Sequence, residues 1–305
     1  MTLLSVVIPT YNRPELLRRS IQSVLRQAHD ADLSPEIIVV DDGSALPVDT
    51  GMFRGENIRY LKLERNSGPH VARNKGIEMA TGEWVVMLDD DDELMENTLH
   101  SAVRNIEAIS GYDHYPVFFF ATTKGHISGD FAYIRTSDIL NGKLKGDFTP
   151  VIRRSVFRDS GYRYHDYPEI LGVGCELLTW LDISTSFNIP TFNYTLVKVN
   201  EDAPLRLTSY ENFIRNSDKF ALQQDITIRF LEERGLDAMS PAFIRKKFLG
   251  AAVYYLISGE RDVCRERLGR IRWFMPGKAA VSILSYLPVS LSKLLFRYYK
   301  LQFSK

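Results

Sequence analysis

Residues 36–44 read EIIVVDDGS, and residues 83–92 read EWVVMLDDDD. Each is a short apolar run, rich in Val and Ile, that stops abruptly at carboxylates. Runs of this length and composition are buried strands, too short for ordinary helices. Outward from them the same grammar repeats. LLSVVIP, starting at Leu3, is a strand ended by Pro9, and IRYLKL (58–63) alternates as another. Between the strands lie helical patterns. From Pro14 to Gln27, Leu17, Ile21, Val24 and Leu25 share one face, with Pro14 at a natural first-turn position. Residues 70–80 form a second helix, with Val71, Ile77 and Met79 among its apolar positions, and Glu96–Ile109 a third. Strands alternating with helices imply an α/β fold: a Rossmann-like, mostly parallel sheet with right-handed crossovers and helices on both faces.

Ligands of such sheets bind at the carboxyl ends of the strands, where the strand order reverses. Strand one ends in Pro9-Thr10-Tyr11-Asn12, strand two in Asp41-Asp42, and the EWVVML strand in Asp89-Asp90-Asp91-Asp92. In the order 3-2-1-4, these three ends share one crevice. Four successive carboxylates repel one another, and facing a cation would let several stay ionised. Oxygen ligands suit Mg²⁺ or Mn²⁺. The bland alternative is a solvated acidic loop before a helix. An EF-hand is excluded because the central Gly and distal Glu are missing. A phosphatase-type D-x-D-x-T pattern fails at Glu93, and a phospho-receiver would need its acidic pair after strand one.

The rest of the chain is less regular. YPVFFFAT (115–122) and FAYI (131–134) read as strands. FTPVIRRSVFRDSG (148–161) reads as a strand leading into a short helix. GCELLTWLDIST (174–185) is helical, and IPTFNYTLVKV (189–199) returns to strand. Beyond Thr208 the pattern is helical, including 210–234 and 241–257. The expected division is therefore an α/β domain over 1–207 and a helical region over 208–305.

Composition fits a soluble globular protein, with 45% apolar and 25% charged residues among 305. Net charge is zero, which argues against a nucleic-acid partner, but its distribution is uneven. After Glu266 eight basic residues and no acidic one occur, so residues 1–266 carry −8. Cys175 and Cys264 are too few for a disulfide framework or a zinc site. The N-terminus lacks a basic segment and a long apolar core, so it reads as a strand rather than a signal peptide, and a cytoplasmic protein is expected.

The phrases SVVIPTYNRPELLRRSIQSVLRQ, EIIVVDDGS, NSGPHVARNKGIEMATGEWVVMLDDDD and GCELLTWLDI occur in order over about residues 3–185. Together they resemble a family 2 glycosyltransferase of the GT-A fold, of the kind that builds bacterial surface polysaccharides. The resemblance implies a nucleotide-sugar half over about 1–110 and an acceptor half over about 111–207. It implies that Pro9, Thr10, Tyr11, Asp41 and Asp42 hold the base and ribose of the donor. A carboxylate can accept the N3–H of uracil, and a Tyr ring can stack on the base. Gly68, Arg73 and Asn74 match the element that approaches the nucleotide. Asp89 and Asp91 match the D-x-D motif that holds Mn²⁺ or Mg²⁺ and through it the diphosphate. Asp90 and Asp92 contact the sugar or cap the following helix.

The same resemblance implies transfer from a nucleotide-diphosphate sugar, a UDP-sugar first, to a hydroxyl of a glycan or lipid-linked glycan. A single inverting displacement requires a base for that hydroxyl. The family's usual Glu-Asp pair is replaced by Cys175-Glu176, so Glu176 stands at the Asp position and is the candidate base. A helix-start Glu interacting with the helix dipole is the structural alternative. His165 and Asp166 are second candidates. Trp180 is read as core packing, His70 as a loop residue beside the nucleotide, and Cys175 as a small buried group. The tail 276–305 combines apolar runs, split by Pro288, with five basic residues. It suits an interfacial helix on an anionic membrane surface at the inner face, with Phe296, Tyr298 and Tyr299 near headgroups, or plain packing on the protein. Rival functions are a non-catalytic nucleotide-sugar scaffold, favoured by Cys175-Glu176, and a sugar-nucleotidyltransferase, for which no Gly-rich phosphate loop follows strand one.

Overall fold

The computed structural model describes residues 4–29, 35–46, 48–49, 51, 57–203, 209–272 and 276–303. The chain divides into two compact units: Met1–Asp166 with Thr179–Ala203, and Tyr167–Leu178 with Pro204–Lys305. The boundary expected at residue 207 lies outside the described residues.

The first unit is built on one sheet. Its strands are β1 (Leu4–Thr10), β2 (Glu36–Asp41), β3 (Ile58–Lys62), β4 (Trp84–Met87), β5 (Glu93–Leu94), β6 (Val117–Thr122), β7 (Phe131–Ile134), β8 (Phe148–Arg153) and β9 (Ile189–Lys198). They run in the order β3-β2-β1-β4-β8-β6-β9-β5, with β7 also paired to β9. β3, β2, β1 and β4 are mutually parallel, and the chain reverses direction between β4 and β8. The expected order 3-2-1-4 is present, so the carboxyl ends of β1, β2 and β4 lie side by side.

Every residue of β1 and β2 is buried, which explains their unbroken apolar runs. Alternate residues feed two core layers, because successive strand side chains point to opposite faces. Val6, Ile8, Ile37, Val39 and Val86 pack with Leu17, Ile21 and Val24 of α1 (Pro14–Leu25) and with Leu99, Val103 and Ile106 of α3 (Leu99–Glu107). Val7, Ile38, Val40, Val85 and Met87 pack on the other face with Ala72 and Ile77 of α2 (Pro69–Met79). Phe157 of α5 (Arg154–Asp159) and Ile183 of α6 (Glu176–Ser184) join that second layer. A short α4 (Thr136–Leu140) sits between β7 and β8.

Two expectations change. The helix expected over 96–109 begins only at Leu99, because Glu93 and Leu94 pair with Lys198 and Val197 and Asn97 turns the chain at φ 56°. The pattern over 210–234 is two helices, α7 (Tyr210–Arg215) and α8 (Ser217–Glu233), broken at Asn216.

The second unit continues with α9 (Pro241–Ser258), α10 (Arg261–Gly269), α11 (Pro276–Leu284) and α12 (Val289–Phe303). Its core joins Ala221, Ala251, Ala252, Leu256, Leu268, Ile271 and Val281 around buried Cys264, and burial pushes that thiol up to about 11. Both cysteines are free and buried. Among the described residues no helix is long and apolar enough to cross a membrane.

Gly76 fixes how closely α2 lies on the sheet. A Cβ there would stand 2.1 Å from Val7 Cγ1, well inside contact distance. Gly76→Val is expected to destabilise the chain by about 1–3 kcal/mol or more through overpacking, read as a lower denaturation midpoint in urea with an unchanged slope.

Candidate active site

The site lies in the first unit, where β4 ends at Leu88. The next four carboxylates face different surroundings. Asp90 is buried and turned inward, where it accepts from Thr10 Oγ1 at 2.7 Å and from Arg13 at 3.1 Å. Burial, countered in part by Arg13 and Thr10, pushes its carboxyl up to about 6. Asp89, Asp91 and Asp92 form the other group, each offering a carboxylate oxygen within 4.8 Å of the others. A divalent cation takes carboxylate oxygens at about 2.0–2.6 Å, so oxygens this close together fit one. Asp92 is pushed up to about 7 by burial and by Asp89 and Asp91, with the Asn200 amide N–H donating to it at 3.0 Å. The D-x-D pair expected from the sequence is present, and the structure adds Asp92 to it while turning Asp90 away.

Cations of the protein surround the group. Arg73, buried in α2, donates to Asp89 at 2.7 Å and lies 5.5 Å from the ring of Tyr164. Arg13 reaches Asp91 at 3.3 Å, and Arg19 and Asn200 both donate to the Asp91 carbonyl. Arg13, Arg19 and Asn200 were not legible as site residues. Arg13 adjoins the PTYN turn at the end of β1, a position that marks it in the sequence, but Asn200 follows β9 with no local signal.

The other expected residues separate into engaged and open ones. Pro9 is a buried strand residue paired with Val40, and Tyr11 is exposed at the end of β1. Asn12 adopts φ 55° and ties the β1 turn to the β2 turn, accepting from Ala45 and Leu46 N–H at 2.8 and 3.0 Å. Asp41 is fully buried. Its oxygens accept from Ser44 N–H at 2.8 Å and Tyr60 OH at 2.7 Å, so its carboxylate supports the turn rather than facing the crevice. Asp42 accepts from Ser67 and Gly68 N–H at 2.7 and 2.8 Å, and burial raises its pKa. Gly68, at φ 95°, is the cap that lets the chain turn into α2. Asn74 exchanges two hydrogen bonds of 2.9 Å with the Tyr164 backbone, so its amide clamps the loop at 162–166 onto α2.

That loop carries His165, whose Nε2 lies 3.4 Å from Asp182 Oδ2 and whose amide donates to Thr179 at 3.1 Å. His70 is buried beside Arg73, and desolvation pushes it down to about 3, so it stays neutral. Trp180 packs edge-on against Phe119 at 5.1 Å and Tyr164 at 5.4 Å, a core position as expected. Glu176 is the first residue of α6 and, with buried Cys175, groups with the second unit. The Gln223 side chain donates to the carbonyl of Gly174, just before it.

The glycosyl transferase family 2 model matches residues 5–157, just over half of the chain. The chain belongs to that family. Among curated relatives, a Campylobacter jejuni GalNAc(5)-diNAcBac-PP-undecaprenol beta-1,3-glucosyltransferase is 31% identical over 196 residues, 60% of each chain. Glycosyltransferase GlyG of Streptococcus pneumoniae is 33% identical over 109 residues, 34% of this chain and 35% of its own. This family 2 chain therefore spans less than two thirds of the length of these relatives. Among solved structures, residues 1–349 of S. aureus TarS in complex with UDP-GlcNAc superpose with a TM-score of 0.57 at 17% identity, covering 98% of this chain and 92% of that one. This likeness establishes a GT-A-type fold.

If Asp89, Asp91 and Asp92 hold a divalent cation, its binding should depend on pH. With Asp92 at about 7 in the cation-free protein, binding below that pH must displace a proton. Mn²⁺ affinity by calorimetry is expected to fall as the pH drops from about 8 to 6, by up to ~10-fold per unit below 7. A flat profile would mean Asp92 takes no part.

Proposed function

We propose that this chain is an inverting, metal-dependent glycosyltransferase. It moves a sugar from a UDP-sugar to a hydroxyl of a lipid-linked glycan at the inner face of a membrane. What carries this reading is the gathering of Asp89, Asp91 and Asp92 oxygens within 4.8 Å at the reversal point of a family 2 sheet. The printed name of the Campylobacter relative, an undecaprenol-linked acceptor, and the UDP-GlcNAc bound to TarS support the acceptor and donor classes.

Asp89, Asp91 and Asp92 would hold Mn²⁺ or Mg²⁺, which when bound would supply positive charge near the diphosphate. The protein supplies the rest. Arg73 and Arg13, engaged with Asp89 and Asp91, add guanidinium charge beside the same oxygens. Tyr11, exposed at the end of β1, stacks on the base, and Asp42 with Gly68 and the β1 turn at Pro9 and Thr10 shapes its seat. Asn74 acts indirectly, by holding the Tyr164–His165 loop on α2. Glu176 takes the proton of the acceptor hydroxyl as its oxygen attacks the anomeric carbon. A second base is favoured by a specific contact: His165, oriented by Asp182 at 3.4 Å, has the arrangement of an imidazole whose protonated form is stabilised by a carboxylate.

Donor turnover should require Mn²⁺ or Mg²⁺, and Asp91→Asn should lower it by ~10²-fold or more, the scale of one lost electrostatic stabiliser. Full turnover in excess chelator would refute the metal role. UDP binding without turnover on any donor would favour the scaffold reading.

The two bases separate by substitution. Glu176→Gln should lower transfer ~10²–10⁴-fold with UDP affinity nearly unchanged. If Glu176→Gln transfers normally while His165→Ala does not, the base is His165.

A further inference from the structure

The chain after Glu266 is basic throughout, and in the second unit it folds into two helices with apolar residues on more than one side. The inward side of α12 is satisfied. Phe296 lies 6.2 Å from the ring of Tyr210, 6.5 Å from Phe213 and 6.0 Å from Tyr254, and Ser292, one turn earlier, is buried. The Tyr210 hydroxyl donates to the Lys293 carbonyl at 3.3 Å. On α11, Val281 enters the core beside Leu268 and Ile271, and Leu284 packs against it. Phe296, expected near headgroups, is therefore half-buried against α7 and α9, and the side chains of Tyr298 and Tyr299 lie outside the described residues.

A second set of apolar side chains is left uncovered by this packing. Ile283 is 66% exposed, Tyr286 74%, Leu294 61%, Leu295 42% and Leu291 37%. Apolar residues scattered singly on a surface need no explanation, whereas a concentration of them along two consecutive helices does. The charges on α11 and α12 themselves have one sign. Lys293 and Arg297 share α12 with the leucines, and no carboxylate follows Glu266; beside the Tyr286 ring, at 5.3 Å, the Arg265 guanidinium is paired with Asp262 of α10. A second copy of this face would oppose like charges. An anionic lipid surface satisfies both features, because headgroups meet the cations while the interface takes up the apolar side chains.

We propose that α11 and α12 form a docking surface for an anionic lipid leaflet, with Ile283, Tyr286, Leu291, Leu294 and Leu295 entering the interface and Lys293 and Arg297 meeting headgroups. It deepens the lipid-linked acceptor reading, and its readout is independent of catalysis.

The test is flotation of the full chain with vesicles of phosphatidylglycerol and phosphatidylcholine, against vesicles of phosphatidylcholine alone. Wild-type protein should float with the anionic vesicles at low salt and less, though still detectably, as salt screens the charges. Leu294→Glu/Leu295→Glu should reduce flotation roughly 10-fold or more, by removing apolar burial and adding repulsion, with unchanged melting temperature and donor turnover. Both positions are exposed, and Lys293→Gln/Arg297→Gln gives an independent check by weakening flotation on anionic vesicles. The proposal is overturned if wild-type protein does not float, or if the folded variants float equally. It is also overturned if light scattering finds a dimer that Leu294→Glu/Leu295→Glu dissociates while neither protein floats. A wild-type chain that floats but turns over no donor supports docking and defeats the sugar-transfer reading alone.

Discussion

Four consecutive carboxylates at the end of a buried strand cannot all remain ionised without partners, and much of the first unit is arranged around supplying them. Two like charges 4 Å apart repel by about 4 kcal/mol at the screening typical of a protein surface. Three of the aspartates draw different elements toward the end of β4, and Asp91 shares Arg13 with Asp90. Asp90 draws the turn after β1 through Thr10 and Arg13. Asp89 draws α2 through Arg73. Asp92 draws the segment after β9 through the Asn200 amide. Burial, with the neighbouring carboxylates adding to it and the donors offsetting it only in part, holds Asp90 and Asp92 at about 6 and about 7.

The same arrangement explains why α2 must sit so close to the sheet. Arg73 reaches Asp89 from a helix whose next turn carries Gly76 against Val7. A larger residue at 76 would lift that turn and alter the approach of Arg73. Asn74, on the adjoining position, fastens the Tyr164 loop to α2 by its paired hydrogen bonds. One short helix thus couples core packing, carboxylate compensation and the placement of His165.

Legibility in the sequence followed how local each signal is. Strands β1, β2 and β4 could be read because buried parallel strands are continuous apolar runs, and the polar residues at their ends mark the crevice through strand order; β3, at the sheet edge, is legible from its alternation. The D-x-D spacing is likewise contiguous. Asn200 could not be read, since its contact with Asp92 spans more than a hundred residues and depends on β9 pairing with β5. Nor could the division of labour within Asp41-Asp42 or Asp89–Asp92, because identical adjacent residues differ only in which way the backbone turns them. Tyr60, which satisfies Asp41, lies on a neighbouring strand and carries no motif of its own.

The C-terminal helices illustrate a different limit. Apolar residues at helical spacing record that a face is buried by something, and do not record by what. In α12, Phe296 and Leu294 are two positions apart and equally apolar, yet a two-residue step on a helix turns the side chain by about 200°, to nearly the opposite face. Phe296 meets the aromatic rings of α7 and α9, while Leu294 is left largely exposed. Plain packing and a lipid-facing role compete as readings of the sequence; packing accounts for one side of α12, and the proposed lipid contact concerns the other. The packed side anchors α12 to its own unit and leaves the leucine side open, so an exposed apolar face can persist without weakening the core beneath it.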